Sequence, residues 1–115
     1  MATLTTQALS RAGVTPSYAA VTGGGDACEV GDDIFLHFKN TNAAVRNVTL
    51  AIPSSASTYP NVTYTNVVVQ IPATTGDKMI GPISALFKDP TTGLCTITYD
   101  ASANLTVGCF KVQAP

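Results

Sequence analysis

The chain has 115 residues and a mass of 11.8 kDa, enough for one domain with a real core and no room for a second. Charged residues make up 11%, against about 25% in a typical soluble domain, and six Lys and Arg face seven Asp and Glu for a formal net charge of −1. That excludes the basic footprint that nucleic acid requires and the polybasic patch that an anionic membrane surface requires, and no run approaches the ~18 consecutive apolar residues of a membrane helix.

Seventeen threonines and eleven valines favour strands, because β-branched side chains suit a pleated surface. Residues 1–25 open the chain with a weak alternation over Leu4–Leu9, then break at Gly13, Pro16 and Gly23–Gly25. Their apolar residues settle into no sustained period, so they read as an extended N-terminal arm with little contact to the core of residues 26–115, or else as an edge strand, with Thr3–Leu9 the first strand of the sandwich. In that arm Leu4, Gln7, Leu9, Arg11, Val14 and Tyr18 are the candidate contacts to a partner or a second copy. The opening residues lack a basic stretch followed by an apolar run, so no signal peptide is expected.

Asp33–Lys39 alternates cleanly, with Ile34, Leu36 and Phe38 on one face and His37 and Lys39 on the other. Val45–Ile52 repeats the pattern with Val48, Leu50 and Ile52 inward, and Val62–Ile71 does so with Val67, Val69 and Ile71. Asp77–Ile80 is a short strand closed by Gly81-Pro82, and Ile83–Phe87 has room for one helical or 3₁₀ turn. Leu94–Asp100 and Asn104–Phe110 pair as a hairpin around Ala101-Ser102-Ala103, which sets Tyr99 opposite Leu105, Ile97 opposite Val107 and Cys95 opposite Cys109. Short strands at regular spacing predict an all-β antiparallel β-sandwich of immunoglobulin-like or jelly-roll type with an extended N-terminal arm. All three cysteines are expected reduced, Cys95 and Cys109 as neighbours and Cys28 in a loop apart from them.

Candidate chemistry is sparse. His37 is the only histidine, and no nucleophile motif stands near it, so a surface or interface role is expected and not catalysis. Gly23-Gly24-Gly25 lacks the spacing and the strand–helix context of a phosphate loop. Asp26, Glu29, Asp32 and Asp33 form an acidic cluster that does not match a calcium loop and reads as solvated loop acids. The sequons at Asn47, Asn61 and Asn104 read as coincidence in a Thr-rich β chain. No catalytic residue, metal or cofactor is expected, and the chain reads as a non-enzyme.

Phe35-Leu36-His37-Phe38-Lys39-Asn40, then Gly76-Asp77-Lys78-Met79-Ile80-Gly81-Pro82, then Phe87-Lys88-Asp89-Pro90 with Gly93 and Thr96-Ile97-Thr98-Tyr99, appear in an order that resembles the head decoration (capsid cement) proteins of tailed actinobacterial phages and prophages. Thr5-Thr6-Gln7, Gly13, Pro16, Tyr18 and the Gly23–Asp26 loop fit the same resemblance, which spans nearly the whole chain. It implies a virion structural protein, made in the host bacterial cytoplasm, that stabilises the outer surface of the phage head as a homo-oligomer, most simply a trimer, with the major capsid protein as partner. The low charge density agrees with a domain packed against another protein. The alternative is a small immunoglobulin-like or carbohydrate-binding adhesion module. That reading calls for exposed aromatic platforms, whereas the chain has no Trp and scattered tyrosines at 18, 59, 64 and 99.

Overall fold

The computed structural model describes residues 2–53 and 65–112, and over them the chain is a β-sandwich of two packed sheets. The strands are β1 (Ala2–Thr3), β2 (Thr6–Leu9), β3 (Ala19–Ala20), β4 (Asp26–Cys28), β5 (Ile34–Asn40), β6 (Arg46–Leu50), β7 (Val67–Ile71), β8 (Gly76–Ile80), β9 (Cys95–Tyr99) and β10 (Leu105–Val112). A single 3₁₀ turn at Ala85–Phe87 lies between β8 and β9, within the segment where such a turn is expected. Sheet A runs β1-β4-β9-β6-β7 and sheet B runs β2-β10-β5-β8, with β3 added to β10 beside β2. The Asn61 sequon, Tyr59, Tyr64 and residues 62–64 of the expected third strand lie outside the described residues.

The period-two faces close the core as the sequence predicts. Ile34, Leu36, Phe38, Val48, Leu50, Ile71, Ile97, Leu105 and Val107 are each at most 3% exposed, and Ile52, Val67, Val69 and Tyr99 pack against them half-buried. Each fully buried aliphatic or aromatic side chain contributes about 1.5–3 kcal/mol relative to exposure.

Three expectations are corrected. The sheets are mixed and not purely antiparallel: β1 lies parallel to β4 and β2 parallel to β10, because both enter from the chain start alongside strands of the same direction. Residues 2–25 do not form an arm with little core contact; they follow the edge-strand alternative and contact the domain's own core and sheets closely. β1 extends sheet A, β2 and β3 extend sheet B, Leu4 packs on the core and Val21 is buried within it. Their lack of periodicity arises because the segment alternates between two sheets, so no single face claims more than a few residues.

The third correction concerns the last two strands. β9 and β10 do not pair; β9 belongs to sheet A, between β4 and β6, and β10 to sheet B, between β2 and β5. The link between them is an arch across the sandwich. Asn47 holds its entry, donating its backbone N–H to Asp100 Oδ1 at 3.0 Å and its side-chain amide to Oδ2 at 3.1 Å. Asn104 ends the arch in the left-handed region (φ 61°), which asparagine tolerates, and its carbonyl accepts from the Thr41 N–H at 3.0 Å. The inward residues are unchanged by this rearrangement: Cys95, Ile97, Leu105, Val107 and Cys109 all face the core.

β10 has neighbours along both sides for most of its length. β5 pairs with it from Leu105 to Lys111, and its other side is shared between β3 at Thr106–Val107 and β2 from Cys109. Gly108 marks the gap between those two. A Cβ there would lie 2.7 Å from the Phe110 ring and 3.1 Å from the Ser17 carbonyl oxygen, so only glycine lets both approach. Gly108→Ala is expected to cost about 1–3 kcal/mol by overpacking, read as a lower denaturant midpoint at unchanged slope. Deleting residues 2–22 removes β1, β2 and β3 together and should leave a chain that is insoluble or melts far below the intact protein in a thermal scan. A truncated chain that melts like the full one would show these strands to be dispensable.

Candidate functional site

The N-terminal segment, where it crosses sheet B, gathers most of the chain's polar chemistry. Its first strand is pinned to sheet A by the Leu4 N–H, which donates to the Ala27 carbonyl at 2.7 Å. Gln7 then acts as a surrogate strand residue: its Nε2 donates to the Ser17 carbonyl and its Oε1 accepts from the Ser17 N–H, both at 2.8 Å. That pair bridges the gap opposite Gly108 where backbone pairing lapses between β2 and β3. Of the six candidate contact residues, Leu4 faces the core, Gln7 is committed to Ser17, Leu9 is half-buried in β2 and Tyr18 is half-buried on sheet B. Arg11 and Val14 remain exposed around the Ser10–Gly13 turn.

Tyr18 is the centre of an arrangement that sequence spacing does not disclose. Its hydroxyl lies 2.7 Å from His37 Nδ1, and His37 Nε2 hydrogen-bonds Asp77 on β8. With Nε2–H donating to the carboxylate, Nδ1 is left to accept from the phenol, a Tyr-to-His-to-Asp chain. The Tyr18 ring meets Phe110 edge-on at 5.9 Å, Phe110 stacks on Phe35 at 5.5 Å, and Lys39 Nζ sits 4.6 Å from the Tyr18 centroid. Aromatic and cation–π contacts of this kind contribute about 0.5–1.5 kcal/mol each beyond burial. His37 was expected on an open face; Tyr18 covers it, leaving 8% exposure. The signal available in the sequence was its outward parity together with Lys39 and Asp77, but nothing local links these to Tyr18. The hydrogen bond from His37, followed by weaker attraction to His37 and Lys39, holds the Asp77 carboxyl below its ordinary value of 3.8.

The second gathering lies inside. Asp26, 1% exposed, accepts from the Tyr99 hydroxyl at 2.7 Å and from the Thr22 N–H at 3.2 Å. Burial first, and then the bond to Asp26, push the Tyr99 phenol far above its ordinary range, so it stays protonated as a donor. Cys28 was expected in a loop apart from the other cysteines; it sits instead in β4, directly opposite Cys95 of β9, with all three thiols free and at most 1% exposed. The neighbouring Cys109 and Cys95 thiols, with burial third, raise the Cys28 thiol well above the usual thiol value. The sequence missed this because it paired Cys95 with Cys109 through a hairpin that the arch replaces. A cavity of about 430 Å³ opens beneath the N-terminal segment, and Leu4, Gln7, Thr22, Asp26, Gly108 and Cys109 line it.

The remaining candidates disperse. Asp26 is internal, Glu29 accepts from the Thr6 hydroxyl at 3.0 Å, and Asp33 lies 3.9 Å from Lys111. The four acids do not converge on one point. Gly25 turns the chain in the left-handed region (φ 107°), its N–H donating to the Thr22 carbonyl at 2.9 Å, so Gly23–Gly25 forms a closed turn into β4. Asn47 is engaged with Asp100, and Asn104 Oδ1 accepts from Asn42 at 2.9 Å. Among the described residues no helix is long and apolar enough to cross a membrane. In comparisons with known proteins, no family model, curated protein or solved structure matches the chain.

Because the folded Asp77 carboxyl lies below its unfolded value, it contributes stability above the ordinary carboxylate range and loses that contribution as pH falls through 3.8 towards the folded value. Asp77→Asn should therefore flatten the acid limb of a stability–pH curve below about pH 4. Since Asp77 is solvent-exposed, the difference between the two proteins should shrink in high salt.

Proposed function

We propose that the protein is a capsid decoration protein that binds the outer surface of a phage head through the major capsid protein, as a homotrimer. The order of sequence motifs along nearly the whole chain supports this reading, and one structural observation carries it further. β7 closes sheet A and β8 closes sheet B on the same side of the sandwich, and each exposes a large apolar side chain there, Val68 at 62% and Met79 at 67%. Among the described residues neither strand is paired along its outer edge. Open edge strands with apolar side chains are a liability for a solitary domain and a natural seat for a partner. β7 carries no charge at all, and the domain has little net charge to hold copies apart, so a surface partner suits the composition. Val45 and Val112, 39% and 54% exposed, add apolar area beyond this edge. The trimer rests on the resemblance and on the local threefold positions of icosahedral shells.

The test is co-sedimentation of purified protein with undecorated phage heads. The intact chain should pellet with the heads. Val68→Asp and Met79→Lys should lose that association while melting within about 0.5 kcal/mol of the parent, since both positions are solvent-exposed. Variants that bind as well as the parent would rule out this edge as the contact. A capsid reconstruction should place three copies around each local threefold; isolated copies at hexamer centres would overturn the trimer.

A further inference from the structure

Asp26 is a carboxylate held in the core at 1% exposure, and among the described residues no Lys, Arg or His stands within ion-pair distance of it. Its hydrogen bonds from the Tyr99 hydroxyl and the Thr22 N–H both fall on Oδ2. Among the described residues Oδ1 accepts none, and no fully enclosed side-chain oxygen or nitrogen lacks a partner, so Oδ1 is not enclosed. It is the part of Asp26 that opens onto the cavity of about 430 Å³ whose wall this residue helps to form. A buried carboxylate without a cation is costly, and here the space for one lies beside it.

The rest of the wall suits an organic cation. It carries no other charged side chain. Thr3, Thr5 and Thr22 bring hydroxyls that can accept, and Leu4, Ala20 and Val107 bring apolar surface. The volume falls within the range of small-molecule pockets, roughly 300–1,000 Å³. Burial first, and then the bond to Asp26, keep the Tyr99 phenol protonated, so it goes on donating to Oδ2 and leaves the charge on the carboxylate. A hard metal ion is less well served, since no group of three or more His, Cys, Asp or Glu gathers among the described residues.

We propose that this cavity is a binding site for a small primary alkylammonium ion, which donates an N–H to Asp26 Oδ1 and lays its hydrocarbon chain on the apolar part of the wall. An ammonium has three donors and no acceptor, the complement of a carboxylate oxygen with hydroxyls around it. The bond between them is charge-assisted and lies in a site of low dielectric, where such bonds are strong. A neutral alcohol of the same length offers one donor and no charge, and a carboxylic acid anion is repelled by Asp26. None of the lining residues belongs to β7 or β8, so occupancy of the cavity and docking by the exposed edge are separable.

The experiment titrates the isotopically labelled full-length chain with n-butylammonium, 1-butanol and butyrate, and follows the backbone amide resonances. n-Butylammonium should shift the amides of Thr3, Ala20, Thr22 and Asp26 to saturation, with an affinity about ten-fold or more above that of 1-butanol, and butyrate should leave them in place. Added salt should weaken this binding only slightly, because a buried pair is screened far less than a surface one. Asp26→Asn should lose about ten-fold or more in affinity for n-butylammonium. Ala20→Leu, which fills the cavity from the exposed strand β3, should lose binding with Asp26 intact. Should Asp26→Asn fail to fold, Ala20→Leu and the three probes on the parent still decide. Equal binding of n-butylammonium and 1-butanol, undiminished affinity in Ala20→Leu, shifts centred on the exposed acids Asp32 and Asp33, or no saturable shift at all would each overturn the proposal.

Discussion

The double occupancy of β10 is the constraint on which the rest of the structure depends. A strand has two sides, and this one gives one side to β5 over seven residue pairs and the other to the start of the chain. The N-terminus and the C-terminus therefore fold together or not at all, and sheet B is built from residues about a hundred positions apart in sequence. Gly108 is the point where this arrangement is tightest. There the backbone at Ser17 and the Phe110 ring meet in the space that any side chain would take.

Around that seam the buried polar groups act as fixed points of register. Asn40, 1% exposed, donates to the Ala44 and Pro72 carbonyls at 3.0 Å and accepts from the Asn42 N–H at 3.0 Å, tying the β5–β6 turn to the end of β7. Arg46 donates to the Ala103 carbonyl in the arch at 3.3 Å. Asp26 and Tyr99 join β4 to β9 in the core. Each such group costs free energy if its partner moves away, so together they penalise slipped pairings more than they add to stability. Gly76 serves the same end by geometry: a Cβ there would lie 1.9 Å from the Pro72 carbonyl oxygen, so the tight β7–β8 turn accepts no other residue.

The two ends of the sandwich thus differ in kind. At the β1–β2 end the N-terminal segment lines the cavity, with Gln7 tied to the Ser17 backbone. At the β7–β8 end the strands finish with exposed apolar side chains on their margins.

Period-two alternation determined much of this protein without reference to tertiary structure. It placed Ile34, Leu36, Phe38, Val48, Leu50, Ile97, Leu105 and Val107 inside, and it located strands β5 to β10 within a few residues. It did so because the face on which a strand residue lies depends only on local backbone geometry. Which strand sits beside which does not. A hairpin and an arch between β9 and β10 bury the same side chains, so the pattern that identified Cys95 and Cys109 as inward could not say that Cys28 of β4 stands opposite Cys95. The same limit hid the Tyr18–His37–Asp77 chain, whose members come from three separate segments and meet only because β5 pairs with β8 and the N-terminal segment lies across β10. The N-terminal residues were the least legible of all. A stretch that serves two sheets in turn shows the period of neither, and only the long-range pairing that closes both sheets decides where it lies.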